Sequence, residues 1–115
     1  MAGNDAIAAL RAALQVSPDN LPLTLHLGDT LLSLGRGDEA EREFRQALSR
    51  WSENAQLKVG LARAFDQQGK TSHAQVVLEE ICGKPDAPAR GLVLYARLLL
   101  RARRSWYVLT KLRKE

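Results

Sequence analysis

Residues 34–44, LGRGDEAEREF, return 34 positions later as QGKTSHAQVVL. Gly35 meets Gly69, Arg36 meets Lys70, Ala40 meets Ala74 and Phe44 meets Leu78. Upstream, Leu27-Gly28 meets Leu61-Ala62, Leu31 meets Phe65 and Asn20 meets Asn54. A further step of 34 brings Ala62 to Ala96, Phe65 to Leu99 and Lys70 to Arg104. A step backwards brings Ala40, Phe44 and Ala47 to Ala6, Leu10 and Ala13. The register crosses the 115 residues without an insertion. Such a period restricts the fold more than any other feature, because a unit this short cannot bury its apolar face alone and must stack on its neighbours.

Within each unit the apolar residues follow helical spacing. Leu23, Leu27, Leu31 and Leu34 form one stripe, and Ala40, Phe44, Ala47 and Leu48 form another. Leu57, Leu61, Ala64 and Phe65, then Ala74, Val77, Leu78 and Ile81, repeat the pattern. No stretch alternates, so no strands are expected. Asn20 and Asn54 suit helix N-caps, and Pro22 sits in a first turn, where its missing N–H costs little. Asp86 followed by Pro88 marks a third start. Gly35 and Gly69 stand where a helix needs a left-handed residue at its end. Asp38 with Glu41, and Ser72 with Gln75, have capping-box spacing. The pattern predicts helices near 4–16, 21–34, 38–50, 55–68, 72–83, 88–102 and 105–114.

The period and its residues resemble the tetratricopeptide repeat family across essentially the whole chain. That family's pattern has a large apolar residue, a small one, and a large one three positions later. Leu27-Gly28…Leu31, Leu61-Ala62…Phe65 and Tyr95-Ala96…Leu99 match it. It also has a small residue early in the second helix and a bulky one four later, as in Ala40/Phe44 and Ala74/Leu78. Pro18-Asp19-Asn20 supplies the usual joint. The resemblance implies an all-α, right-handed solenoid of helix–turn–helix repeats in one domain. A half-repeat helix at 1–16 precedes repeats at 21–50 and 55–83, and a degenerate third repeat or capping helices occupy 88–114. Gly28 and Ala40 fall where paired helices approach closest, so Gly28→Leu is expected to overpack the pair.

The departures lie mostly in the third repeat. Thr24, Lys58 and Leu92 replace the tryptophan usual in the first helix, and Trp51-Ser52 replaces a proline joint. Arg103 stands where Gly35 and Gly69 stand earlier, and Trp106 and Val108 align with Ser72 and Ala74. Trp106, Tyr107, Leu109 and Leu112 either pack on the preceding helix or contact another subunit or a longer parent chain.

No catalytic constellation is visible, and no enzyme activity or cofactor is expected. His26 and His73 lie in different helices without metal-ligand spacing. Cys82, the single cysteine, aligns with Leu14 and Leu48 and is expected to be a small core residue rather than a nucleophile. No Gly-rich phosphate loop occurs. The acidic Asp38-Glu39-Ala40-Glu41 suits a helix N-terminus. With no apolar run near the ~20 residues of a membrane span and an acid close to Met1, a cytoplasmic protein is expected.

Function is therefore sought on the surface. The family lines its concave face mainly with the first helix of each repeat. Carried onto this sequence, those positions give Leu25, Asp29, Gln56, Val59, Arg63, Gln67, Arg90, Val93, Arg97 and Arg101 as the partner-binding set, with no metal site. Arg90, Arg97 and Arg101 share one helical face, and an arginine fork suits a carboxylate. Residues 1–83 carry 8 Lys/Arg against 11 Asp/Glu, whereas residues 84–115 carry 9 against 2. This split favours an acidic partner. The expected function is a non-catalytic protein–protein interaction module that holds an extended acidic peptide. Two other classes remain open: the N-terminal regulatory region of a larger enzyme such as an ATPase, and nucleic-acid binding through the basic end. Few aromatics interleave with those basic residues, as single-strand binding would want. Leu25, Asp29 and Gly60 occupy three positions of the family's Lys/Asn carboxylate clamp, so that chaperone-type activity is not expected. Finally, Arg36-Gly37-Asp38 has the form of an adhesion signal but aligns with Lys70-Thr71-Ser72, a turn between paired helices. The turn gives Gly37 no evident task, so Gly37→Thr is expected to be neutral or slightly stabilising.

Overall fold

The computed structural model describes residues 2–114, with side chains for all of them except 2, 105, 107–109 and 112–114. Its elements are α1 (Ala2–Val16), α2 (Leu21–Ser33), α3 (Gly37–Leu48), α4 (Ala55–Gln67), α5 (Thr71–Cys82) and α6 (Ala89–Lys114). No strand occurs among the described residues. Each helix packs on the next, and α2 also touches α4, as α4 touches α6. Neighbours in sequence are thus neighbours in space, and the molecule grows in one direction. Its extents of 61 × 37 × 19 Å and radius of gyration of 16.4 Å exceed the ~13 Å of a compact domain this long.

Local chemistry sets most helix ends. Asn20 and Asn54 have extended backbones, and their Oδ1 atoms accept from the N–H of Leu23 at 3.1 Å and of Leu57 at 2.9 Å. Gly35 and Gly69 have φ of 75° and 79°, a region closed to most L-residues, and they end the first helix of each pair. The capping boxes are not formed. Helices α3 and α5 begin earlier, after Arg36 and Lys70, and neither N-cap makes a side-chain cap hydrogen bond.

The largest difference from the sequence expectation lies at the C-terminal end. The two helices expected near 88–102 and 105–114 are one 26-residue helix, so six helices stand where seven were expected. The reason is local. Arg103 replaces the left-handed glycine, and residues 92–114 contain neither Gly nor Pro. Nothing therefore stops the helix.

Small residues govern the packing. Phe44, 1% exposed, sits among Leu27, Leu31, Ala40, Ala47 and Leu57 in the first core cluster. A Cβ built at either Gly28 or Gly60 would overlap its ring, so α2 and α4 close on Phe44 only because both positions lack a side chain. Gly37 is buried, and the expectation about it needs correction. Its Cβ would lie 2.8 Å from Gln67 Oε1, 3.2 Å from Gln67 Cβ and 3.3 Å from the Ala64 carbonyl oxygen. Gly37 is a point of close approach between α3 and α4, not a turn residue. A second cluster, with Ala62, Phe65, Ala74, Leu78, Leu94 and Leu98, joins α4, α5 and α6.

Candidate functional site

The first helices of the repeats, α2, α4 and α6, carry the candidate site. The Asn20 and Asn54 caps start α2 and α4 at equivalent positions, so residues 34 apart lie side by side. Asp29 and Arg63 show this directly: Arg63 Nη1 donates to Asp29 Oδ1 at 3.1 Å. From α6, Arg90 Nη1 reaches 4.0 Å from Asp29 Oδ2. One carboxylate thus stands between two guanidinium groups from two other helices.

Six of the ten sequence-predicted residues line one groove of about 340 Å³: Leu25, Asp29, Gln56, Val59, Arg63 and Arg90. Gly60, Pro88 and Ala89 complete its lining. The latter two, immediately before and at the start of α6, escaped the sequence reading because they are not among the positions carried over from the family's first-helix lining. Val59 is buried, and a Cβ at Gly91 would come within 3.0 Å of its Cγ2, so Gly91 lets the start of α6 close over the groove.

The other four residues are not brought into that groove. Val93 and Arg97 are exposed further along α6, and Arg97 makes no ion pair among the described residues. Arg101 Nη2 donates to Asp66 Oδ1 at 2.9 Å. Gln67 Nε2 donates to the Leu32 carbonyl at 2.8 Å. The last two residues tie consecutive repeats together. Arginine richness is legible in the sequence; the pairing of Arg63, Arg90 and Arg101 with internal acids is not.

A larger cleft of about 440 Å³ opens between α1 and α3, floored by Leu14, Leu27, Ala47 and Trp51. None of the predicted site residues lines it. Arg11 crosses its rim to Glu43 at 3.4 Å.

Several titratable groups outside the groove make contacts within the fold. Burial alone would raise the Glu41 carboxyl, but hydrogen bonds from Gln68 at 2.9 Å and Lys70 at 3.1 Å, with the charges of Lys70 and Arg45, hold it below its ordinary value. A hydrogen bond from Arg36 lowers Glu39, and one from Lys58 lowers Glu80. Partial burial raises the Cys82 thiol, which opposes thiolate formation. His73 is exposed with its ring 5.3 Å from that of Phe65, and His26 is exposed in α2. No group of three or more His, Cys, Asp or Glu among the described residues is placed to hold a metal ion. No helix of the described residues is long and apolar enough to cross a membrane.

A linear stack of helix pairs with a groove along its first helices defines a helical-repeat scaffold. Such a stack offers an extended surface for binding. Two family models described as tetratricopeptide repeat match it, one over residues 2–46 and the other over residues 25–88. The second spans more than half of the chain, and the chain belongs to the tetratricopeptide repeat family. Members of that family serve in general as non-catalytic protein–protein interaction modules. No curated protein matches the chain.

Proposed function

We propose that the groove between α2, α4 and the start of α6 binds an extended acidic peptide. The observation that carries this reading is the Asp29 carboxylate between Arg63 and Arg90. An internal acid already uses the geometry that a ligand carboxylate would use. Arg90 keeps most of its side chain exposed, and Arg97, one repeat beyond Arg63, makes no ion pair among the described residues. Leu25 and Val59 add apolar contact on the groove wall. A ligand with alternating acidic and apolar residues satisfies both kinds of surface.

A fluorescently labelled peptide of alternating Glu and Leu tests the proposal against its Lys/Leu counterpart. The acidic peptide binds, with affinity falling as salt rises. Arg90→Ala and Arg97→Ala each weaken it about two- to fivefold, because an exposed ion pair is worth up to about 1 kcal/mol. Equal binding of both peptides, or an Arg90/Arg97 double variant that binds unchanged, refutes the groove. A second part of the proposal is self-association through α6, supported by the exposure of Leu92, Leu99 and Trp106 along that helix.

A further inference from the structure

The two ends of the molecule expose opposite halves of one helix–helix interface. In the complete repeats, the first helix presents Leu27, Gly28 and Leu31, or Ala62 and Phe65, and these are buried. On α6 the same register positions are Tyr95, Ala96 and Leu99. Tyr95 is half-buried, and Ala96 and Leu99 are exposed. The second helix of each repeat presents Ala40, Phe44 and Ala47, or Ala74, Leu78 and Ile81, all buried. On α1 the same positions are Ala6, Leu10 and Ala13. Leu10 is half-buried, and the two alanines are exposed. Among the described residues, α6 is a first helix without its second, and α1 is a second helix without its first.

We infer that α6 of one copy takes α1 of a second copy as its missing partner helix, so that copies stack head to tail and continue the 34-residue register across the junction. This rests on the self-association reading above and names the surface that meets α6. Three observations select α1 as the occupant.

The first is shape. Ala6 and Ala13 reproduce the small residues that Ala40 and Ala47 place against α2, and Leu10 takes the place of Phe44. The second is a charge pair. Asp29 and Arg63 occupy the same position in consecutive repeats and bond at 3.1 Å. The next such position is Arg97, and with the register continued the one after it is Asp29 of the second copy. The arginine without an internal acid therefore meets an acid across the junction. The third is net charge. Residues 1–34, which carry α1 and α2, hold one Arg against three Asp, and residues 84–115 hold 9 Lys/Arg against 2 Asp/Glu, so the two ends have opposite signs and attract. Beyond residue 101, where the register ends α2 and α4, α6 continues along its own axis. That leaves the face from Leu92 to Leu99 open. A contact of this kind uses two different patches and does not close on itself, so the product is an open series of copies rather than a dimer.

Sedimentation velocity over a concentration series tests the inference. The unmodified chain forms a ladder of species that lengthens with concentration and shortens with salt. Leu99→Glu blocks the α6 face, and Ala13→Glu blocks the α1 face. Both positions are exposed in the single molecule, so each variant retains its helical circular dichroism and melting transition. Each variant alone is monomeric. Mixed, the two give one-to-one dimers and nothing larger, because each supplies the intact face the other lacks. A chain that stays monomeric at every concentration overturns both self-association and this junction. If Leu99→Glu is monomeric while Ala13→Glu alone still associates, self-association stands and α1 is not the occupant.

Discussion

Leu31, Phe65 and Leu99 occupy one register position in three successive repeats, and their exposures are 0%, 4% and 47%. The first two lie under a second helix that folds back on the first. The third lies on α6, where the chain continues straight. A left-handed glycine after α2 and another after α4 turn the chain, and Arg103 does not. One backbone conformation therefore decides whether an apolar side chain becomes core or surface. The family match over residues 25–88 ends immediately before α6 begins.

The most damaging change expected in the complete repeats is Phe44→Ala. Between Gly28 and Gly60 no side chain can move in to refill the space, so the loss is about 3–5 kcal/mol in denaturant unfolding. A loss below ~1 kcal/mol would mean that α2 and α4 collapse onto the vacancy. Leu31→Ala and Leu99→Ala test the comparison most directly. The first costs about 2–5 kcal/mol. At protein concentrations where the chain is monomeric, the second stays within ~0.5 kcal/mol. Equal losses would show that the Leu99 face is covered within the single molecule.

Gly37→Thr copies the residue one repeat later, yet it drives a side chain into Gln67 and the Ala64 carbonyl. It is expected to lower stability by about 1–3 kcal/mol, whereas Thr71→Ala at the exposed equivalent changes little. Arg103→Gly supplies the residue that ends α2 and α4. It costs α6 about 1 kcal/mol of helix propensity, and hydrogen exchange across 100–108 becomes faster. Unchanged protection would mean that contacts outside this segment hold the helix straight.

The smallest effect is electrostatic. The folded-state Glu41 carboxyl lies below its ordinary value. Its contribution is present above the unfolded-state value and is lost as pH falls through the folded-state value. Glu41→Gln therefore makes the melting temperature less sensitive to acid, and an identical acid profile in both proteins would remove Glu41 from that account.

Much of the fold was legible because its determinants are local or periodic. Asn20 and Asn54 cap within three residues of themselves, Gly35 and Gly69 act through their own φ, and the apolar stripes repeat at helical spacing. The site was legible only as positions. The register assigned ten residues to the first helices, and six of them line one groove. It could not show that Asn-capped starts bring Asp29 between Arg63 and Arg90, or that Asp66 engages Arg101. Those pairings depend on where long side chains from different helices meet.

The sequence alone therefore determined the repeat period, the first five helices, the close contact at Gly28 and the basic character of the C-terminal end. Each of these follows from residue type at a fixed spacing. Tertiary structure decided three other matters. Gly37 is small because Gln67 and Ala64 crowd it, Arg97 makes no ion pair among the described residues, and the repeat-facing positions of α1 and α6 stay exposed at the two ends of the stack. All three depend on distances between residues far apart in the chain, and these exist only once the helices have stacked.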